Sequence, residues 1–291
     1  MPMRRSRVVL LTLIALIAFA ANSILCRLAF ERSDIDAASF TTIRLLSGAL
    51  MLWLIVALRS GARGIGGSWP SAAALFAYAA AFSFAYVSLP TGVGALLLFG
   101  AVQATMILAG LRDGERMGGR QITGLVLALG GLGYLMLPGL SAPPLGGSLL
   151  MLAAGIAWGV YSLRGRERGT ADPIGATAGN FLRAAPLGIG LSAAALPWLQ
   201  VDAVGAGYAV LSGALASGAG YAVWYAALRG LAATHAATVQ LSVPVIAAAG
   251  GALLLDEPVT LRLAFASVAI LGGIALVVLG RSSTSEPGKA L

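Results

Sequence analysis

The chain has one cysteine, Cys26, one histidine, His235, and one lysine, Lys289, among its 291 residues. A single cysteine excludes an intrachain disulfide and a cysteine-based metal cluster. With one histidine and eleven carboxylates, ligands for a protein-held metal centre are scarce, and no cofactor is expected. Charge is the larger deficit. Only 10% of the residues are charged, against about 25% in ordinary globular chains. Nineteen basic and eleven acidic side chains cannot wet the surface of a soluble protein of this length. That excludes a soluble enzyme, a disordered chain and a nucleic-acid binder of the basic-patch kind. No Gly-x4-Gly-Lys-Ser/Thr motif occurs, which excludes an ATP-driven pump within this chain.

What is present is apolar: 58% of the residues are hydrophobic. A helix needs about 20 mostly apolar residues to cross a bilayer. Ten such segments can be read, at 8–28, 37–58, 71–89, 91–111, 121–137, 146–163, 173–195, 205–228, 232–254 and 260–279. The runs are continuous, without period-2 alternation, so they predict helices rather than barrel strands. Their connections are short and carry Pro or Gly, as in Leu89-Pro90-Thr91-Gly92 and Glu257-Pro258. With the N-terminus in the cytoplasm, fourteen of the nineteen basic residues fall in inside segments and three, Arg27, Arg32 and Arg262, in outside segments. Arg44 and Arg183 lie within spans. This positive-inside bias predicts that both termini are cytoplasmic. The start, Arg4-Arg5-Ser6-Arg7 before an apolar run with Ala18-Phe19-Ala20, resembles a cleavable secretory signal. The apolar run continues to Leu28, so an uncleaved first span is expected.

The pattern Glu-x4-Arg-x9-Gly-Gly occurs twice, as Glu115, Arg120, Gly130, Gly131 and as Glu257, Arg262, Gly272, Gly273. Both copies sit between two spans. The expected organisation is therefore two halves, 1–140 and 141–291, of five spans each. Five is odd, so the second half enters the membrane from the opposite side. The expected fold is all-α and polytopic, with ten transmembrane helices as two five-helix inverted repeats. Many secondary transporters have this architecture, with the substrate site near the midplane between the halves.

Several stretches resemble EamA-type members of the drug/metabolite transporter superfamily. They are Gly220-Tyr221-Ala222-Val223-Trp224-Tyr225, Gln240-Leu241-Ser242-Val243-Pro244-Val245, the span ends Asp256-Glu257 and Gly114-Glu115, and Arg44 in the second span. The likeness spans nearly the whole chain and is similar in look to aromatic-amino-acid exporters. The halves depart from each other at Arg116 against Pro258 and at Leu89-Pro90 against Leu231-Ala232. The resemblance implies a bacterial inner-membrane exporter of amino acids or other small metabolites. Its partners would be a small-molecule substrate and the lipid bilayer, without nucleic acid; the oligomeric state is left open. Nucleotide-sugar or lipid-linked-sugar carriers of the same superfamily are an alternative. A polytopic membrane enzyme is another, but it would need a nucleophile–base pair or metal cluster for which the side chains are lacking.

No carboxylate falls in the middle of a span. Proton-coupled antiporters carry a buried acid there, so carboxylate-driven antiport is disfavoured. His235, near the start of the ninth span, is read as packed or interfacial. Arg44 and Arg183 could attract a substrate carboxylate. Their similar places in the two halves favour an architectural role, either snorkelling or bonding to neighbouring carbonyls. Cavity candidates come from helical spacing. Tyr78 and Phe82 share a face of the third span and Tyr221 and Trp224 a face of the eighth. Trp158, Gln103, Gln240 and Asn22 add hydrogen-bonding groups. Tyr86 and Tyr161, near span ends, fit an interfacial aromatic belt. Gly155-x-x-x-Gly159 and Ala216-x-x-x-Gly220 predict close helix packing. Gly130-Gly131 and Gly272-Gly273 predict close contacts within each half.

Overall fold

The structure, a computed structural model, describes residues 5–60, 64–114, 116–139, 142–167, 172–231 and 233–280. Arg4, Arg63, Glu115, Arg168, Arg281 and Lys289, which carry part of the charge and repeat pattern, lie outside the described residues.

Every regular element among the described residues is helical. In chain order these are α1 (Arg5–Arg32), α2 (Ala37–Ser60), α3 (Trp69–Tyr86), α4 (Thr91–Arg112), α5 (Gly119–Met136), α6 (Leu145–Glu167) and α7 (Pro173–Ala194). A short 3-10 turn, Leu196–Trp198, follows. Next, α8 covers Ala203–Leu228 and contains π-helical turns at Leu211–Ala219. α9 runs as Ala233–Gln240 and Ser242–Leu254 with a break at Leu241, and α10 is Leu261–Gly280. Seven of these helices (α1, α2, α4, α6, α8, α9 and α10) are long and apolar enough to cross a membrane. The other three fall short for visible reasons. α3 is diluted by Trp69-Pro70-Ser71, Ser83 and two tyrosines, α5 opens on Gly119-Arg120-Gln121 and carries four further glycines, and α7 carries Asn180, Arg183 and Pro186. Outward faces are apolar: on α1 alone Val9, Leu10, Leu13, Ile14 and Ile17 are exposed. Apolar surface this extensive marks a multi-pass membrane protein.

The helix starts are specified locally. Ser68 and Asp172 accept bonds from the N–H groups of Ser71 and Ile174, with a proline in each first turn. Asp202 does the same for Val204 and Gly205, and Asp36 for Ala38 and Ser39. These are ordinary N-cap preferences.

α3 and α4 pack on α6, and α8 and α9 pack on α1. α2 pairs with α7 and α5 with α10. The small residues explain how close these approaches are. A Cβ on Gly155 would meet the Leu98 carbonyl at 2.6 Å, and one on Gly159 would meet Thr105 at 2.8 Å, as the glycine spacing predicts. The Gly-Gly pairs behave differently from expectation. Gly131 abuts Ala269 and Ile270, while Gly273 abuts Gly124 and Ala128. Their contacts are thus between α5 and α10 rather than within each half. Gly130 and Gly272 face open space. Their neighbours one step round the helix take the contact, because consecutive helical residues point about 100° apart.

Loops are laced at both ends. At one end, the Gln200 N–H donates to the Asp36 carboxylate at 2.9 Å, and the Asp34 N–H donates to the Asp202 carboxylate at 3.0 Å. Both acids lie below the usual carboxylate range. At Asp36 burial pushes upward, but bonds from Ser39, Gln200 and Ala38 outweigh it. At Asp202 the bond from the Gly205 N–H is the chief cause. At the other end, the Gly66 N–H donates to the Gly175 carbonyl at 3.1 Å, and Arg183 donates to the Gly66 carbonyl at 2.8 Å.

Candidate functional site

A cavity of about 600 Å³ lies among α1, α3, α4, α6, α7, α8 and α9. All eight residues singled out in the sequence line it: Asn22, Tyr78, Phe82, Gln103, Trp158, Tyr221, Trp224 and Gln240. α8 and α3 bring their aromatic faces to Trp158 from two sides. Tyr78 lies 4.8 Å from the Trp158 ring centre, and Tyr221 stacks on Trp158 at 5.5 Å and 19°. Phe19 adds an edge-to-face contact with Trp224 at 5.8 Å. Offset and tilted pairs of this kind are the favoured aromatic geometries.

A polar chain runs behind these rings. Arg44, 2% exposed, donates to the Tyr78 hydroxyl at 3.0 Å. The Asn22 amide donates to the same oxygen at 3.2 Å. Ser212 in turn donates to the Asn22 carbonyl oxygen at 2.6 Å. Two donors occupy the Tyr78 oxygen, so its own proton is left to donate elsewhere. A second cluster joins Asn180 to the Tyr161 hydroxyl at 3.3 Å and Thr177 to that of Tyr225 at 3.1 Å. Gln103 and Gln240 line the cavity with no side-chain hydrogen-bond partner among the described residues.

Three expectations need correction. Arg44 neither snorkels nor reaches carbonyls: it is buried between rings, 5.2 Å from the centre of Tyr78 and 4.7 Å from that of Phe82. Arg183 fits the architectural role, bonding the Gly66 and Gly179 carbonyls. Tyr86 and Tyr161 form no interfacial belt. Tyr86 is fully buried, its hydroxyl donating to the Thr91 carbonyl and its ring seated on Gly94. Tyr161 lines the cavity. In both, a partner for the hydroxyl inside the bundle removes the cost of burying it. His235 is exposed and does not line the cavity.

Sequence reasoning also missed lining residues. Ser217 and Ala216 sit in the π-helical part of α8, where Ser217 is buried without a hydrogen-bond partner among the described residues. Gly213 allows this segment to touch α2, since a Cβ there would fall 2.1 Å from the Arg44 carbonyl. The run Leu211-Ser212-Gly213-Ala214-Leu215-Ala216-Ser217-Gly218-Ala219 reads as ordinary packing. Its small size and two hydroxyls are the only signal.

The cavity reaches one end of the bundle, where Gly67, Arg164, Gly165 and Pro173 line it. Among the described residues none at the opposite end lines the cavity. There Pro90 offers no side-chain cap to α4. Glu257 supplies it instead, accepting the Thr91 N–H at 2.7 Å. Asp256, with φ 53°, turns the chain after α9 so that Glu257 reaches across. Arg27 lies 3.5 Å from Glu257 and also bonds Glu31 and the Tyr86 and Val87 carbonyls. Burial pushes the Glu257 carboxyl above its usual value, against the bonds from Thr91 and the Arg27 charge.

Comparison with known proteins gives likenesses of three kinds. Residues 145–279 match the EamA-like transporter family. An uncharacterized protein of Pseudomonas aeruginosa is 58% identical over 287 residues, covering 97% of this chain and 99% of its own. A solved crystal structure shares the fold with a TM-score of 0.67 at 18% identity, over 95% of this chain and 98% of that one.

Proposed function

Because residues 145–279 match the EamA-like transporter family, we propose that the chain is a secondary transporter of that kind, which exports small metabolites by alternating access. The substrates are amino acids with aromatic or other apolar side chains. The observation that carries this reading is the cavity itself: aromatic, provided with amides and hydroxyls, and reaching only one end of the bundle. Flat apolar solutes stack on such rings, and polar ends stripped of water bond to Asn22, Gln103 and Gln240.

On this reading all ten helices cross a bacterial inner membrane and the halves 1–140 and 141–291 are inverted repeats. The packing partnerships support it. Exchanging α1–α5 with α6–α10 turns α3 on α6 into α8 on α1, and α4 on α6 into α9 on α1. It leaves the α2–α7 and α5–α10 pairs in place. The basic residues put the cavity mouth in the cytoplasm, so the described conformation is inward-facing. With no acid in the cavity lining among the described residues, substrate moves down its own gradient or by exchange. Uptake into proteoliposomes tests this. Phenylalanine and tryptophan should exchange across the membrane with or without a pH gradient. If exchange collapses when the pH gradient is removed, the reading of the missing carboxylates is wrong and His235→Gln is the next variant.

A further inference from the structure

Arg44 is the most deeply buried charge in the described structure. Buried charges are ordinarily paired with an opposite charge, because desolvation costs more than neutral hydrogen bonds return. Arg44 has no such partner. The ion pairs among the described residues both belong to Arg27. One guanidinium nitrogen of Arg44 donates to Tyr78 and the other, Nη1, is buried with no hydrogen-bond partner among the described residues.

The surroundings all carry the same sign. Among the described residues no Asp or Glu lines the cavity, and the one formally charged lining residue is Arg164, at the mouth. The Tyr78 oxygen already accepts from Arg44 and Asn22, which leaves its O–H to donate, and a positive donor behind it strengthens that bond. Ser217 offers a second buried hydroxyl without a partner among the described residues. An aromatic box alone would also suit a quaternary ammonium. Here the faces of Tyr78 and Phe82 already carry the Arg44 guanidinium, and no acid is near to offset a second cation.

We propose that the cavity selects solutes bearing a carboxylate or similar anionic oxygen group, held at the Tyr78 hydroxyl with Arg44 as the positioning charge behind it, and rejects solutes whose only charge is a cation. This inference rests on the transport reading for the cavity being a solute site, and it adds the charge class of the substrate.

The test is binding by the full chain in nanodiscs, read by quenching of tryptophan fluorescence and therefore independent of transport. Three probes share one ring and chain length: 3-phenylpropionate, 3-phenylpropionamide and 3-phenylpropylamine. The acid should bind at least about tenfold tighter than the amide, and the amine weakest. Tyr78→Phe, which keeps the ring, should erase the acid's advantage over the amide. Arg44→Lys should keep the order that Arg44→Gln abolishes. Equal or tighter binding of the amine, or an acid preference that survives in Tyr78→Phe, overturns the inference. Such a result leaves the transport reading standing if phenylalanine still exchanges in proteoliposomes. Acid-selective binding without any exchange would instead sink the transport reading alone.

Discussion

Tyr78, Trp158, Tyr221 and Trp224 form a contiguous aromatic wall, because α3 and α8 bring Tyr78 and Tyr221 to Trp158 and Phe19 links Tyr221 to Trp224. If this wall stacks on solute rings, Trp224→Ala should weaken transport of aromatic amino acids roughly tenfold, the equivalent of about 1.4 kcal/mol. Small aliphatic substrates should lose much less, with membrane expression unchanged. An equal loss for every substrate would show a packing role. Much of this was legible, since helical spacing alone grouped Tyr78 with Phe82 and Tyr221 with Trp224. Tyr86 has the same spacing but a different fate. Whether a tyrosine faces an interface or a core depends on whether its hydroxyl finds a partner, here the Thr91 carbonyl, and that is a tertiary fact. Arg44 was misjudged for the same reason, as its partner Tyr78 lies on another helix. Ser217 carried no sequence signal separating it from a packing serine.

Among the elements, α8 is the least regular, and its π-helical turns approach α2 closely where positions 213 and 218 lack side chains. Gly213→Val should destabilise the protein by at least the 1–3 kcal/mol of a typical overpacked core, about 2 kcal/mol or more, seen as a lower melting temperature in detergent. The Asp36–Gln200 and Asp34–Asp202 bonds join the loops before α2 and α8. Both acids lie below their usual value of 3.8. Their stabilisation is therefore present above that value and is lost as pH falls through the lower folded one. The melting temperature should drop below about pH 4, and Asp36→Asn with Asp202→Asn should flatten that drop. Glu257 carries the opposite sign, its carboxyl being raised by burial, so its contribution to folded stability grows as pH falls through the raised value. Its cap on α4 should hold the end opposite the cavity mouth shut. Glu257→Ala should let a cysteine placed at Ala216 react with a membrane-impermeant maleimide from the end away from Arg164; unchanged labelling would remove Glu257 from the closure. Helix existence was readable from apolar runs, but the π-helical stretch and the cap supplied by a distant glutamate were not, since neither has a local signature.

For the whole molecule, the proposed exchange of halves rests on the sequence repeat and is compatible with the helix pairs, although one repeat residue, Glu115, lies outside the described residues. The Gly-Gly pairs, expected within each half, lie instead where α5 meets α10. A repeat in sequence reports equivalent positions and says nothing of which copy touches which. The ten-span, inside-terminus topology predicts that reporters fused after Gly169 and after Leu291 both read cytoplasmic. A periplasmic signal at Leu291 would contradict the even span number. The central claim is that this cavity moves aromatic amino acids between two sides of a membrane, and counterflow in proteoliposomes tests it most directly. Vesicles preloaded with unlabelled phenylalanine should transiently accumulate labelled phenylalanine, with no pH gradient imposed, and Trp224→Ala should slow that uptake. Accumulation no greater than in protein-free vesicles, for phenylalanine and tryptophan alike, would contradict the account.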